Sequence, residues 1–440
     1  MSCAEPKARP RPDRGADIAL ERAARLFDEL ARISADAPGV TRASFGPVED
    51  AAHAMILREA KALELETRKD AIGNLYVTLP GEDRDAPVLM TGSHLDSVPH
   101  GGNYDGAAGV IAGLVLLERL LTEPQPPCDV TLMAIRAEEM IWFPEHYLGS
   151  RAAFGVLPPG APDGVMRSDT GRSLADHMIE AGFDPQVIRD SVPQLAAHRI
   201  GAFIEVHIEQ GPVLVETQCP VGIVTAIRGN IRHRFCRIEG QTTHAGGVPR
   251  HSRRDAVLAG AELAQAMEAY WLSAEAKGDD MVLTLGEFTT DPVLHGITKV
   301  PGLLTFTLDV RSQDDTVLNL FERWVQQQAR KIGARRGVRI DLGPYTQAAA
   351  APMDTSLRRG LLAAARDCDV TACELPSGGG HDCATFSSLG IPSAMLFIRN
   401  ENGSHNPDEH MEFADFASAC DVLTSWAEKA LFTDRASKTT

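Results

Sequence analysis

Paired cysteines are missing. The chain has eight cysteines, at 3, 128, 219, 236, 368, 373, 383 and 420, and no two of them form a CxxC pair. A chain of 440 residues needs no disulfide scaffold, so reduced thiols in a cytoplasmic protein are the expectation. A basic surplus is missing too. With 43 Lys and Arg against 60 Asp and Glu the formal net charge is −17. That excludes nucleic acid and anionic membrane surfaces as partners, since both need a basic footprint. It leaves open a small anion held by one local Arg. No apolar run is long enough to span a membrane. The opening residues, MSCAEPKARPRPDRG, lack the apolar core of a signal peptide, and 1–15 read as a disordered leader. Internal repeats are absent beyond strand–helix alternation. Low complexity is confined to the leader and the AAAA of 348–351.

What remains is ordinary globular composition, 44% hydrophobic and 23% charged, in a chain long enough for two or three domains. The stretch VLMTGSHLDSVPHGGNYDGAAGV, 88–110, organises the rest. It begins as a buried strand, changes abruptly at Gly92–Asp96, passes through a Gly-rich loop and enters the apolar helix GVIAGLVLLERLL. Open α/β sheets collect ligands at the carboxyl ends of their strands, and His94 and Asp105 stand at such an end. In extended backbone His94 and Asp96 share a face, so Asp96 can hold the imidazole, as metal-binding His usually requires.

Two more strands end in the same way. CDVTLMAIRAEE (128–139) finishes on Glu138 and Glu139, and AFIEVHIEQGPVL (202–214) carries His207, Glu209 and Gln210. Helical segments separate them, beginning with the amphipathic stretch from about Ala16 to Ile33 and a second from Val48 to Ala62. LETRKDAIGNLYVTLPG reads as a hairpin turning at Gly73–Asn74. The layout predicts an α/β fold whose first domain has a mostly parallel sheet with helices on both faces. From Cys219–Pro220 the pattern becomes β-α-β-β-α-β, a ferredoxin-like α+β unit, and the first pattern resumes near Ser356. The expected boundaries are 16–218 with 352–440 for the catalytic domain and 219–351 for the insert. The C-terminal part adds the Gly-rich LPSGGGHDCATF, a strand SAMLFI and the loop RNENGSHNPDEH with His405.

A two-metal hydrolytic site needs about five protein ligands, one carboxylate shared between ions roughly 3.5 Å apart, and a free carboxylate to take a proton from water. His94, Asp105, Glu139, His207 and His405 are the candidate ligands and Glu138 the candidate base. Adjacent Glu138 and Glu139 point apart at a strand end, so one binds metal while the other faces the water. A single surface His or a solvated EE pair would be unremarkable. All of them gathered at three strand ends and a C-terminal loop point to one site. His and carboxylate donors without Cys suit two Zn²⁺, Mn²⁺, Co²⁺ or Ni²⁺ ions.

The motifs GSHLDSVPHGGNYDGAAGV, AEE…LGSR, HIEQGPVL, HAGGVPRHSRRDA, VPG…TFTLDVRS, SGGGHDCA and NGSHNPDE, spanning 92–409, resemble those of the dinuclear-metal amidohydrolases in the hydantoinase/carbamoylase branch of the M20 metallopeptidase family. That branch holds N-carbamoyl-L-amino-acid hydrolases, β-ureidopropionase and allantoate or ureidoglycolate amidohydrolases. HIEQGPVL with GGNYDG marks the branch within M20. The resemblance implies His94 and His207 on opposite metals with Asp105 bridging, Glu139 and His405 completing the set, Glu138 as general base and Asp96 orienting His94. It implies a small ureido-acid substrate, most simply an N-carbamoyl-L-amino acid, and a homodimer. The insert then serves as lid and dimerisation domain. Its Arg311 would clamp the substrate carboxylate, and its His244 would reach the partner's site to steady the oxyanion. Gln210 and His381 would contact substrate.

The sequence departs from the branch at three places. Met140-Ile141-Trp142-Phe143 replaces small and cationic groups after the base. Thr298 stands where the branch has an Asn for the substrate carboxylate. SGGGHDC replaces SGAGHDA. Bulky Trp142 and Phe143 are expected to line a hydrophobic side-chain pocket. The alternatives are the sibling ureido reactions, an M20 aminoacylase or dipeptidase, against which Gln210 argues, and a silent scaffold, which would have lost a ligand or the base.

Overall fold

The computed structural model describes residues 17–436; the expected leader, 1–15, lies outside them. The chain divides into two compact units. The first takes in the described residues to Val224, Met353–Leu375 and the described residues from His381 on; the second is Thr225–Pro352 with Pro376–Gly380.

The first unit is built on a mixed sheet. Four neighbouring strands run parallel, in the spatial order Ser393–Ile398, Ile200–Ile208, Val88–His94, Val130–Ile135. All but two of their residues are buried, which is why they read as unbroken apolar runs and not as alternation. The sheet is less parallel than its apolar strands suggest. Leu75–Leu79 pairs antiparallel with Val130–Ile135, Glu66–Lys69 antiparallel with Leu75–Leu79, and Val221–Ile227 antiparallel with Ser393–Ile398. The reason at one edge is the 70–74 turn. Asp70 accepts from the amides of Ile72, Gly73 and Asn74, and so tight a turn reverses the chain, whereas a parallel return needs a crossover of a dozen or more residues.

The helix Ala107–Leu120 is buried along all but Glu118 and sits in the main core with Leu89, Leu132, Val206 and the C-terminal helix Phe413–Ala436. A helix apolar on every side has to be covered on every side. Each of its buried Leu and Val side chains contributes about 1.5–3 kcal/mol of transfer free energy.

One core residue works against this. His53, on the helix Pro47–Ala62, is fully buried, and neither ring nitrogen has a hydrogen-bond partner. An unsatisfied buried polar group costs about 1–3 kcal/mol. His53→Leu is therefore expected to raise the urea midpoint by an amount equivalent to about 1 kcal/mol without changing the slope. A lower midpoint would count against this account of the residue.

The second unit has its own core, with Ile231, Ile238, Leu263, Phe306, Phe321 and Val325 at its centre. Its elements follow as strand Gly229–Glu239, helix Ala256–Glu275, strands Val282–Thr284 and Leu303–Ser312, helix Asp315–Arg336 and strand Arg339–Asp341. In space the Val282, Leu303, Gly229 and Arg339 strands lie in that order, each antiparallel to the next. The second helix begins on Asp314, whose side chain accepts from the Thr316 amide, and stops at Gly337 in the left-handed region.

Candidate metal centre

Because the four central strands are parallel, their carboxyl ends share one edge, and each delivers donors there. His94 is the last residue of Val88–His94, and Asp96 and Asp105 lie on the loop behind it. Glu138 and Glu139 follow Val130–Ile135, His207 is the penultimate residue of Ile200–Ile208, and His405 lies beyond Ser393–Ile398. Gly106 allows the approach: its φ is +64°, and a Cβ there would stand 2.5 Å from the His94 ring.

Asp105 is the centre of the group. Its Oδ1 lies 3.4 Å from His94 Nε2 and 3.1 Å from His207 Nε2, and its Oδ2 lies 3.4 Å from His405 Nε2. The two buried imidazoles face each other with Nε2 atoms 3.4 Å apart, and His405 Nε2 is 3.5 Å from Glu139 Oε1. Donor atoms about 2.1 Å from a tetrahedral ion stand about 3.4 Å from one another. The measured separations are therefore the edges of coordination polyhedra, while most are long for hydrogen bonds. Donor atoms of His94, Asp105 and His207 lie within 4.8 Å of one another, and so do those of Asp105, Glu139 and His405. The residues fit a pair of divalent ions sharing Asp105.

The geometry departs from one expectation. His94 and His207 approach the same oxygen of Asp105, an arrangement that suits one shared ion better than the opposite ions expected from the sequence. Their strands are parallel neighbours, which places their terminal imidazoles side by side. Glu139 and His405 face the other oxygen's side.

Electrostatics follow from crowding. Burial, reinforced by the neighbouring Asp105, pushes the Glu139 carboxyl up to about 7. Burial also pushes Glu138 well above the ordinary carboxylate range, with Glu139 and Asp382 adding to it and His94 opposing. Burial opposes charge on His94, but the adjoining carboxylates of Asp105 and Asp96 outweigh it and hold that imidazole well above its usual value. The adjoining Asp105 carboxylate pushes the half-exposed His405 up to about 9. Asp105 itself is held well below its usual value, burial notwithstanding, by the imidazole of His207.

Asp96 is fully buried and has three duties. Its backbone carbonyl lies 3.0 Å from His94 Nδ1 and its Oδ1 3.3 Å from the same atom. Its two carboxylate oxygens accept the backbone amides of Glu138 and Glu139, each at 3.1 Å. Ser44 Oγ donates to it at 2.6 Å. Gln210 Nε2 donates to Asp105 Oδ2 at 2.9 Å. The His381 ring, also buried, packs edge-on to His207 with centroids 4.4 Å apart, and burial followed by the His207 charge holds it well below its usual value.

The other three predicted residues belong to the second unit. Arg311 donates from Nε and Nη2 to Asp309 and from Nη1 to the Gly378 carbonyl. His244 is exposed and pairs with Lys299 on a short ribbon, and its Nδ1 accepts the Gly246 amide. Thr298 is exposed, and its carbonyl accepts the Ala245 amide.

Trp142 and Phe143 do not line a pocket. They are 6% and 0% exposed inside a separate core with Phe45, Leu148 and Met178. Trp142 Nε1 donates to the Ser97 carbonyl at 2.7 Å, so Trp142 braces the ligand loop.

Several supports escaped the sequence reading. Glu205, buried two residues before His207, accepts from Ser93 Oγ and the Cys383 amide. Its signal was a charged residue inside an apolar strand. Glu409 accepts the Tyr104 amide and Ser404 Oγ, and Arg42, wholly buried, donates from Nε to the Leu95 carbonyl. Tyr104 and Leu95 are too distant in sequence from Glu409 and Arg42 to leave a local signal.

The description of peptidase family M20/M25/M40 matches residues 90–429. The chain is 32% identical to an N-carbamoyl-L-amino-acid amidohydrolase of Paenarthrobacter aurescens over 92% of this chain and 96% of that one. It is 33% identical to an allantoate amidohydrolase of Escherichia coli K12 over 90% and 94%. Among solved structures, an amidase of the hydantoinase/carbamoylase family from Burkholderia multivorans superposes with a TM-score of 0.85 at 26% identity, covering 94% of this chain and 98% of that one.

Proposed function

The chain belongs to peptidase family M20/M25/M40 and is a hydrolase of C–N bonds; from that premise we propose a two-metal amidohydrolase that cleaves the ureido bond of an N-carbamoyl-L-amino acid. Water and substrate give the amino acid, CO2 and ammonia. The observation that carries the reading is the convergence of four donor side chains on a fifth, Asp105, beside the carboxylate of Glu138.

His94 and His207 would hold one ion, Glu139 and His405 the other, and Asp105 both. Bound divalent ions such as Zn²⁺ or Mn²⁺ acidify water and polarise a carbonyl. Glu138 takes the proton from the attacking water and returns it to the leaving amine. Asp96 keeps the His94 ring and the amides of Glu138 and Glu139 in place. Gln210 and His381 lie beside the cluster, where a ureido group would sit. Arg311 would grip the substrate carboxylate through the donor capacity that Asp309 leaves, Thr298 would stand near that carboxylate, and His244 would donate to the developing oxyanion of a partner subunit. We read Thr225–Pro352 as an inserted ferredoxin-like lid and dimerisation domain and the protein as a cytoplasmic homodimer. Among the described residues no helix is long and apolar enough to cross a membrane.

The second reading is allantoate or another ureido acid, supported by the 33% identity to an allantoate amidohydrolase. A panel of N-carbamoyl-L-amino acids, N-carbamoyl-β-alanine, allantoate, ureidoglycolate, N-acetyl amino acids and dipeptides separates the candidates. Metal-dependent ammonia release is expected to be fastest with an N-carbamoyl-L-amino acid. Release from allantoate alone would select the second reading. No release from any ureido acid would remove both.

A further inference from the structure

The backbone that carries the base is bent and pinned in a way that ordinary strand termination does not require. Ala137, between the strand Val130–Ile135 and Glu138, has φ +53°, a left-handed conformation uncommon for a residue with a Cβ. Adjacent side chains on extended backbone point to opposite faces, yet Glu138 and Glu139 each place a carboxylate oxygen within 4.8 Å of a His94 nitrogen. Three successive amides are tied down at this bend. Those of Glu138 and Glu139 donate to Asp96, and that of Ala137 donates to Glu49 Oε1 at 3.1 Å.

Glu49 lies in the first turn of the helix Pro47–Ala62 and is fully buried. Its Oε2 accepts the Phe45 amide at 2.6 Å and Arg136 Nη1 at 2.8 Å. Arg136, equally buried, is fixed in turn: Nε donates to the Gly73 carbonyl, and its own amide donates to Asn74 Oδ1. The bond to Phe45 is a helix-cap function. The bond to Ala137, 88 residues away, is not. A buried ion pair adds little net stability for its desolvation cost, whereas a fixed carboxylate gives direction.

We infer that Glu49 is a positioning residue for hydrolysis: held by Arg136 and Phe45, it pins the Ala137 amide and with it the kink that aims the Glu138 carboxylate at the ligand cluster. The inference rests on the reading of Glu138 as base. Glu49 touches no substrate and acts through the backbone alone.

Glu49→Gln tests it. An amide can present its oxygen to Phe45 and Arg136, or to Ala137, but not to both. Turned toward the pair of donors, its NH2 opposes the Ala137 amide. Misplacing a reacting group by about 1 Å costs up to about 100-fold, so kcat is expected to fall on the order of 10- to 100-fold while KM stays within about twofold and the metal content matches wild type. Arg119→Met is the control. It breaks a buried ion pair with Asp17 and Asp421 on the far end of the Ala107–Leu120 helix, and it is expected to lower stability while leaving kcat unchanged. A folded, fully metallated Glu49→Gln enzyme with wild-type kcat would overturn the inference. If that variant does not fold, Glu49→Asp, which keeps the charge one methylene short, takes its place with the same two outcomes. Wild-type turnover on the same substrate is the reference. A silent wild type counts against the proposed function, and equal wild-type and variant rates count against the pin.

Discussion

Glu138→Gln leaves a folded protein with its full metal content and lowers kcat by about 10²- to 10⁴-fold, the contribution a positioned general base makes. The substitution is isosteric, and the Asp96 clamp on the Glu138 and Glu139 amides uses backbone atoms, so neither packing nor the loop is disturbed. Asp105 and the four donors that meet around it are separate side chains and stay in place. What disappears is a carboxylate beside the cluster that is not needed as a metal donor and is not tied up, as Asp96 is, by backbone amides. Burial, with Glu139 and Asp382 beside it, pushes that carboxyl well above the ordinary range, and a base so shifted is a better proton acceptor for water. Steady-state rates on the preferred ureido acid, with metal analysis of the same sample, check the expectation. A variant that keeps its metals and turns over within tenfold of wild type would exclude Glu138 as the base.

The ligand chemistry was legible in the sequence because it is written locally. An apolar strand that breaks into GSHLD, another that ends in AEE and a third carrying HIEQ each announce a strand end with donors on it. Parallel strands then bring such ends together whatever their distance along the chain. The hairpin of Glu66–Lys69 with Leu75–Leu79 was legible from its turn, but the antiparallel pairing of Leu75–Leu79 with Val130–Ile135 was not, since a largely buried antiparallel strand has the same composition as a parallel one. Nor was the pairing of His94 with His207 on one oxygen, which depends on their strands being immediate neighbours. Trp142 misled because an apolar residue next to a base suits a pocket wall or a brace equally well. Only its indole hydrogen bond to Ser97 tells the two apart. The Glu49–Ala137 and Glu409–Tyr104 bonds join residues 88 and 305 positions apart, and nothing in either local pattern points to the other.

Chelation is the second large effect, and it should occur in two steps. With the ions in place each donor has a cation to face. Without them Asp105, Glu138, Glu139 and Asp96 crowd one another in a buried site where charge is poorly screened. Ligand binding stabilises a fold by about 4 kcal/mol per site at a thousandfold excess over Kd, so loss of two ions is expected to lower Tm by roughly 5–15 °C and to abolish turnover. The two proposed ion sites differ in access. The side chains of His94 and His207 are 2% and 1% exposed, whereas that of His405 is 49% exposed. The ion facing His405 and Glu139 is therefore expected to leave first under EDTA, giving an intermediate with one ion per subunit that is inactive yet keeps most of the thermal stability. The more buried ion follows slowly. Adding back Zn²⁺, Mn²⁺, Co²⁺ or Ni²⁺ singly should restore activity only as the second equivalent binds. Asp105→Asn removes the shared carboxylate charge and should merge the two steps, because neither ion is then held as tightly. Metal content, Tm and rate followed along one EDTA time course decide it: loss of both ions together from the wild type would remove the distinction between the sites, and full activity with no bound ion would remove the metal centre itself.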